Sequence, residues 1–285
     1  MQIQIRPARP EDAEELGRIC YQAFKTISEA HNFPPDIPSA DAAAGILAMF
    51  ILHPGFYGIV GEADGRLIGS NFMDERSAIG GIGPITIDPG WQDRQAGRQL
   101  MEAALQRTRD KNLAGVRLVQ SAFHNRSLSL YAKLGFQVRE PLSCMQGPPF
   151  RASIAGCKVR AATEVDIPTC NRLCFAVHGH DRASELEDTV RQGTARVVER
   201  EGLITGYASA VGFFGHAVGA SNDDLKALIS AADEIYGPGI LVPSRNAELL
   251  GWCLEHGLRI VQPMTLMTLG LYNEPAGTYL PSILY

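Results

Sequence analysis

Residues Gly83-Pro-Ile-Thr-Ile-Asp-Pro-Gly-Trp-Gln-Asp-Arg-Gln-Ala-Gly-Arg-Gln-Leu-Met101 read as a strand, a short loop and the opening of a helix. No other segment restricts the fold as much. A strand that turns directly into a helix belongs to a sheet with helices packed on its faces. The same turn gathers several main-chain N–H groups and the positive end of a helix dipole at one point. That is where an anion such as a pyrophosphate is gripped. Gln92, Asp93, Arg94, Gln95, Ala96, Gly97 and Arg98 make up the loop and first turn. Arg94 and Arg98 add positive charge, and Gly97 allows close backbone approach. Taken alone, the segment also fits an ordinary strand-to-helix connection.

The flanking pattern supports a layered α/β fold. Ile3 and Ile5 alternate with polar residues and predict a first strand. Pro10-Glu11-Asp12 opens a helix with acidic residues in its first turn, and Leu16, Ile19, Cys20 and Ala23 supply an apolar face. Phe33–Pro38 is a loop, and a second helix spans about 40–52. Strands follow near 56–62, 66–73 and 79–87, with Asp64-Gly65 as a hairpin turn between the first two. A helix over 98–111, a strand over 116–122, a short helix over 127–133 and a strand beginning at Phe136 complete the series. The order β-α-α-β-β-β-α-β-α-β predicts a mixed sheet.

After Gln146-Gly-Pro-Pro-Phe150 the pattern restarts. Ile5-Arg6, Ala8, Asp12 and Cys20 recur as Val159-Arg160, Ala162, Asp166 and Cys174, each 154 residues later. Gly65 and Gly69 recur as Gly202 and Gly206 at an offset of 137, and Asn125 and Leu128 as Asn246 and Leu249 at 121. Three ordered matches with a falling offset imply two diverged copies of one fold, the second shortened. The predicted division is 1–146, a linker over 147–156, and 157–285. The alternative is one domain with an unrelated C-terminal extension.

Composition narrows the partners. A net charge of -5 leaves no basic excess to neutralise a nucleic acid. No apolar run approaches the ~18 residues of a membrane span. The first residues lack a basic start followed by an apolar run, so no signal peptide is read and a cytoplasmic location is expected. None of the six cysteines forms a CxxC pair. Cys170 and Cys174 would share a helix face as small buried residues, so no metal is expected.

About thirty residues past the loop comes Asn125-Arg-Ser-Leu-Ser-Leu-Tyr-Ala-Lys-Leu-Gly-Phe136. The two clusters at this separation resemble the acetyl-coenzyme A signature of the GCN5-related N-acetyltransferase (GNAT) superfamily. The resemblance implies acetyl-coenzyme A as cosubstrate. Its pantetheine amides would pair with the strand Ile85-Thr86-Ile87, much as an added strand does. Its pyrophosphate would sit on Gln92–Arg98. The resemblance places Asn125, with Ser127 beside it, on the pantetheine arm. It points Tyr131 at the sulfur, where a phenol can protonate the departing thiolate. The family loop reads Gln/Arg-x-x-Gly-x-Gly/Ala, whereas here Gln95 replaces the first glycine. A residue there is strained if its φ is positive. Asp74, Glu75 and His124 are candidates for the base that deprotonates the amine, although each reads first as an ordinary surface residue.

The second copy has Gly215–Lys226 in place of the phosphate loop. Ser221 would cap a helix whose first turn holds Asp223 and Asp224, carboxylates that repel a pyrophosphate. Trp252 aligns with Tyr131. No coenzyme A site is therefore expected in the second half. The apolar, aromatic tail from Leu266 to Tyr285 should pack down, with Tyr272 and Tyr279 in the core or against an acceptor pocket. It resembles tandem GNAT proteins with a degenerate YitH/HolE-like second half. The expected activity is transfer of an acetyl group to the amine of a small molecule or amino acid, by direct attack in a ternary complex. The rival is a non-catalytic acyl-coenzyme A sensor or scaffold. A homodimer is left open, with the second half as a subunit contact or pocket wall.

Overall fold

A computed structural model describes residues 3–285; Met1 and Gln2 lie outside the described residues. The chain forms two compact units. The first runs to Leu118 and adds 123–136 and Leu284, and the second comprises 119–122, 137–283 and Tyr285.

In the first unit the elements are β1 (Gln4–Pro7), α1 (Ala13–Ala30), α2 (Ala40–Leu52), β2 (Phe56–Ala63), β3 (Arg66–Asp74), β4 (Ile79–Ile87), α3 (Ala96–Asp110), β5 (Gly115–Ser121) and α4 (Asn125–Lys133). The sheet order is β1-β2-β3-β4-β5, antiparallel until the parallel β4–β5 pair. Helix α1 buries Leu16, Ile19 and Cys20 on one stripe. Gly17 in that stripe lets the backbone of α2 approach; a Cβ there would lie 2.5 Å from the Ala44 nitrogen. Ser39 caps α2 by accepting from the Ala42 N–H. Asp64 and Gly65, both at positive φ, close the β2–β3 hairpin as their sequence predicts.

The second unit contains β6 (Gln137–Gln146), β7 (Lys158–Ala161), α5 (Ile167–His178), α6 (Ala183–Gln192), β8 (Arg196–Arg200), β9 (Leu203–Ala208), β10 (Ala217–Gly219), α7 (Asn222–Ala231), β11 (Ile240–Pro243), α8 (Ala247–Glu255), β12 (Arg259–Gly270) and β13 (Thr278–Leu280). One antiparallel set runs β13-β10-β9-β8-β7 and another runs β12-β6-β11. Strand β6 falls within the first predicted domain, 1–146, but is counted with the second unit. The cause is its long ladder with β12, from Gln146 opposite Arg259 to Gln137 opposite Thr268. The stretch 147–156 carries no helix or strand.

The predicted repeat has a side-chain counterpart in each unit. Arg6 binds Asp12 at 2.7 Å and Glu62 at 2.6 Å. Arg160 binds Asp166 at 2.7 Å and Glu199 at 2.8 Å. Both aspartates accept from the main-chain N–H three residues back, Asp12 from Arg9 and Asp166 from Thr163. Each Arg–Asp–Glu clasp thus ties the first strand, the start of the first helix and the next strand together. The tail is packed: Tyr279 and Tyr285 are buried and Tyr272 is half-buried.

Candidate functional site

Strand β4 is paired on one side only where the site lies. Its ladder with β3 continues to Ile87, opposite Gly69. Its ladder with β5 joins only Ile79–Gly81 to Gly115–Arg117. Asp88 donates its N–H to the Ile68 carbonyl at 2.9 Å. By the alternation of antiparallel bonding, Ser70 and Thr86 form the next hydrogen-bonded pair. The main-chain groups of Ile85 and Ile87 therefore turn to the other edge, the one that β5 has left. An extended ligand with amide groups can pair there. The Thr86 side chain is buried.

Eight residues, 88–95, link β4 to α3. Asp88 accepts from the Gly90 N–H and holds a single turn over Pro89–Trp91. Asp93 and Gln95 both adopt the left-handed region, each at φ 63. Alternating conformations of this kind turn successive N–H groups inward as an anion-binding concavity. Gln95 occupies the N-cap position of α3, without a side-chain cap. The replacement of glycine by Gln95 thus puts a Cβ where the backbone favours none. Arg94 stacks over Trp91, 4.9 Å from the ring centroid, and Arg98 pairs with Glu102 at 2.8 Å. Ala96 is buried and Gly97 half-buried beside Leu130.

Helix α4 starts beside this loop. Asn125 is its exposed first residue. Arg126, which sequence reasoning missed, donates to Gln92 Oε1 at 3.1 Å and to Asp93 Oδ1 at 2.6 Å. It clasps the phosphate loop to α4. Its only sequence signal is its place next to Asn125. Tyr131 is buried, and burial pushes its phenol up to about 12. Like an ordinary phenol it carries its proton at neutral pH, the state a general acid needs. His124 is half-buried with Nδ1 at 2.5 Å from Ser127 Oγ. Burial, aided by Arg126 and His31, lowers its imidazole to about 4, so it is neutral at pH 7.

The structure does not bring the carboxylate candidates to this group. Asp74 pairs with Arg76 at 2.6 Å. Glu75 binds Arg107 at 2.7 Å and Lys111 at 3.3 Å, at the C-terminal end of α3 rather than beside its N-terminus. Although burial opposes it, the two cations hold the Glu75 carboxyl below its ordinary range. Among the described residues, no group of three or more His, Cys, Asp or Glu is arranged to hold a metal ion.

The second unit supplies an internal comparison. Only two residues separate β10 from α7. Ser221 and Asp224 form a reciprocal capping box, and Asp224 also accepts from Thr205 at 2.7 Å and Arg200 at 3.1 Å. The N-terminus of α7 is thus satisfied from within. One alignment needs correction. Helices α4 and α8 have equal length and start 122 residues apart, and their closing glycines, Gly135 and Gly257, share that offset. Phe136 donates to the Tyr131 carbonyl as Leu258 does to that of Cys253. The counterpart of Tyr131 is therefore the buried Cys253, not Trp252, and Asn246 corresponds to His124, not to Asn125. The sequence match on Asn246 was one residue out because an asparagine stands at the cap of one helix and the first turn of the other.

Residues 21–136 match the model of the Acetyltransferase (GNAT) family, a span that contains all of the site residues above. Comparison by sequence with curated proteins finds no match. Three solved structures cover the chain almost end to end. A candidate acetyltransferase from Pyrococcus horikoshii has 18% identity and a TM-score of 0.75, over 96% of this chain and 93% of that one. A GCN5-related N-acetyltransferase from Sphaerobacter thermophilus has 15% identity and a TM-score of 0.63, over 95% and 96%. A tandem GNAT protein from the clavulanic acid biosynthesis pathway has 15% identity and a TM-score of 0.56, over 94% and 98%. At such identities the likeness establishes the fold, a mixed α/β architecture of tandem GNAT-like halves. No helix among the described residues is long and apolar enough to cross a membrane.

Proposed function

We propose that this chain, whose residues 21–136 match the GNAT acetyltransferase family, moves an acetyl group from acetyl-coenzyme A to the amine of a small molecule or amino acid. The observation that carries the reading is the convergence of three features in one unit. They are the uncovered edge of β4 at Ile85 and Ile87, the left-handed loop into α3, and α4 with its neutral, buried Tyr131.

Acetyl-coenzyme A supplies an activated thioester carbonyl. The main chain of Ile85 and Ile87 binds the pantetheine amides, with Asn125 and Ser127 alongside. The N–H groups from Asp93 to Gly97 hold the pyrophosphate, helped by the dipole of α3. Arg94 and Arg98 add charge, and Gln92 and Ala96 shape the turn. Fixing the thioester against the amine replaces a bimolecular encounter with an oriented one. Tyr131 gives its proton to the departing sulfur. The half comprising 157–285 has no comparable loop, so one cofactor site per chain is the reading.

The test is thiol release from acetyl-coenzyme A across a library of small amines. Release should depend on the amine and fall in Tyr131→Phe by on the order of 10²-fold in kcat. An unchanged rate in that variant removes Tyr131 from the acid role. Tight cofactor binding with no release against any amine favours the non-catalytic sensor.

A further inference from the structure

Strand register matches the far end of β4 to β10. Gly69, Ser70 and Asn71 stand opposite Ile87, Thr86 and Ile85. Gly206, Tyr207 and Ala208 stand opposite Gly219, Val218 and Ala217. Ala220 donates its N–H to the Thr205 carbonyl at 2.8 Å, as Asp88 does to that of Ile68. The counterparts of Ile85, Thr86 and Ile87 are therefore Ala217, Val218 and Gly219, each 132 residues later. The copies differ in what lies along this edge. By the same alternation as in β4, the main-chain groups of Ala217 and Gly219 turn away from β9. There they meet β13, with Leu280 opposite Ala217, Tyr279 opposite Val218 and Thr278 opposite Gly219. The Thr278 hydroxyl also donates to the Gly219 carbonyl at 3.0 Å. Ala217, Val218 and Gly219 are buried, whereas Ile85 and Ile87 are half-buried. The residues leading into β13 are fastened to the end of α5. Ala276 donates its N–H to the Val177 carbonyl at 2.9 Å, and Asn273 Nδ2 donates to that of His178 at 3.1 Å. Gly277 permits this approach; a Cβ there would lie 2.8 Å from Val177 Cγ2. Tyr279 stands edge-on to the His178 ring and donates its phenol proton to the buried Glu140 carboxylate at 3.2 Å.

We propose that the edge of β10 at Ala217–Gly219 is a binding site for an extended peptide strand, filled by this chain's own Thr278–Leu280. The strand lies where the pantetheine arm lies in the first unit, a comparison that rests on the function proposed above. Peptide and pantetheine can use one position because both present amide groups along an extended chain, and a strand edge pairs with main-chain groups alone. Side chains then select the peptide in the second unit. Asp224 at the start of α7 repels a pyrophosphate, while Glu140 and His178 receive Tyr279. Tethering raises the effective concentration of β13 at this edge, so it excludes a free ligand without needing high intrinsic affinity. It also covers a strand edge that would otherwise be open to pairing with another chain.

The test is amide hydrogen exchange on the full chain, read residue by residue by NMR. Without cofactor, the Ala217 and Gly219 amides should exchange about tenfold or more slowly than those of Ile85 and Ile87. Saturating coenzyme A should slow Ile85 and Ile87 and leave Ala217 and Gly219 unchanged. Gly277→Val, which crowds Val177, should speed exchange at Ala217 and Gly219 about tenfold, and the milder Thr278→Ala should speed it several-fold. A synthetic peptide of residues 275–283 added to Gly277→Val should slow both amides again. Equal exchange at the two edges in the parent overturns the peptide site, as does parent-like exchange in both variants or a peptide without effect. Slowing of Ala217 and Gly219 by coenzyme A overturns it too, because that edge would then take the cofactor. Coenzyme A that slows neither edge overturns the proposed function and leaves the peptide site standing.

Discussion

At the residue scale the sharpest feature is Gln95. The sequence shows that it departs from the family loop, and physical chemistry says why that matters only if φ is positive. The structure puts φ at 63. Gln95→Gly should relieve this strain and raise stability by about 1 kcal/mol, read as a higher midpoint in thermal unfolding. A lower midpoint would mean that the glutamine side chain makes a compensating contact. The roles of Asp74 and Glu75 lay beyond sequence reasoning, because a carboxylate's use depends on its partner. Arg107 and Lys111 lie more than thirty positions from Glu75 in the chain and capture it only once α3 docks.

Helices and strands were largely legible because each has local cues. The apolar stripe of α1, the Ser39 cap of α2 and the Asp64-Gly65 turn all act within a few residues. What joins elements was not legible. Arg126 is the clearest case: it bonds two residues of the loop into α3, more than thirty positions away. Arg126→Ala should untie that loop and weaken coenzyme A binding several-fold while leaving the unfolding midpoint nearly unchanged, since both bonds are exposed. Calorimetric titration with coenzyme A checks it, and an unaltered affinity would show that the loop holds its shape alone. The pairing of α4 with α8 illustrates the same limit. A one-residue slip between two asparagines is invisible in the sequence, and only the helix ends and closing glycines resolve it.

For the whole molecule, the two clasps make a shared pH prediction. Asp12 is held below the ordinary carboxylate range chiefly by its hydrogen bond to Arg6, and Asp166 by its bond to Arg160. A depressed carboxylate binds fewer protons in the folded than in the unfolded chain. Its contribution is therefore complete above the ordinary carboxylate pKa near ~4 and is lost as pH falls through that value toward the lower folded one. Urea midpoints measured from pH 6 downward should decline on acidification, and less steeply in Asp12→Asn and Asp166→Asn. Equal slopes in the parent and both variants would sink the argument. Coenzyme A stoichiometry tests the other molecular-scale claim. One equivalent per chain is expected, because the carboxylate of Asp224 already occupies the N-terminus of α7. Two equivalents would show that α7 also binds.

The sequence by itself determined the α/β class, the order of elements in the first half, the repeated framework and the position of the strand–loop–helix that opens the site. Those follow from periodicity, turn chemistry and spacing, which act over a few residues. Only the tertiary structure decided that β4 loses β5 beyond Gly81, that β6 joins the ladder with β12, and that Arg126 clasps the loop. It alone placed Tyr131 in a buried setting. Each of these depends on a partner distant along the chain, and a partner's identity is set by packing rather than by pattern.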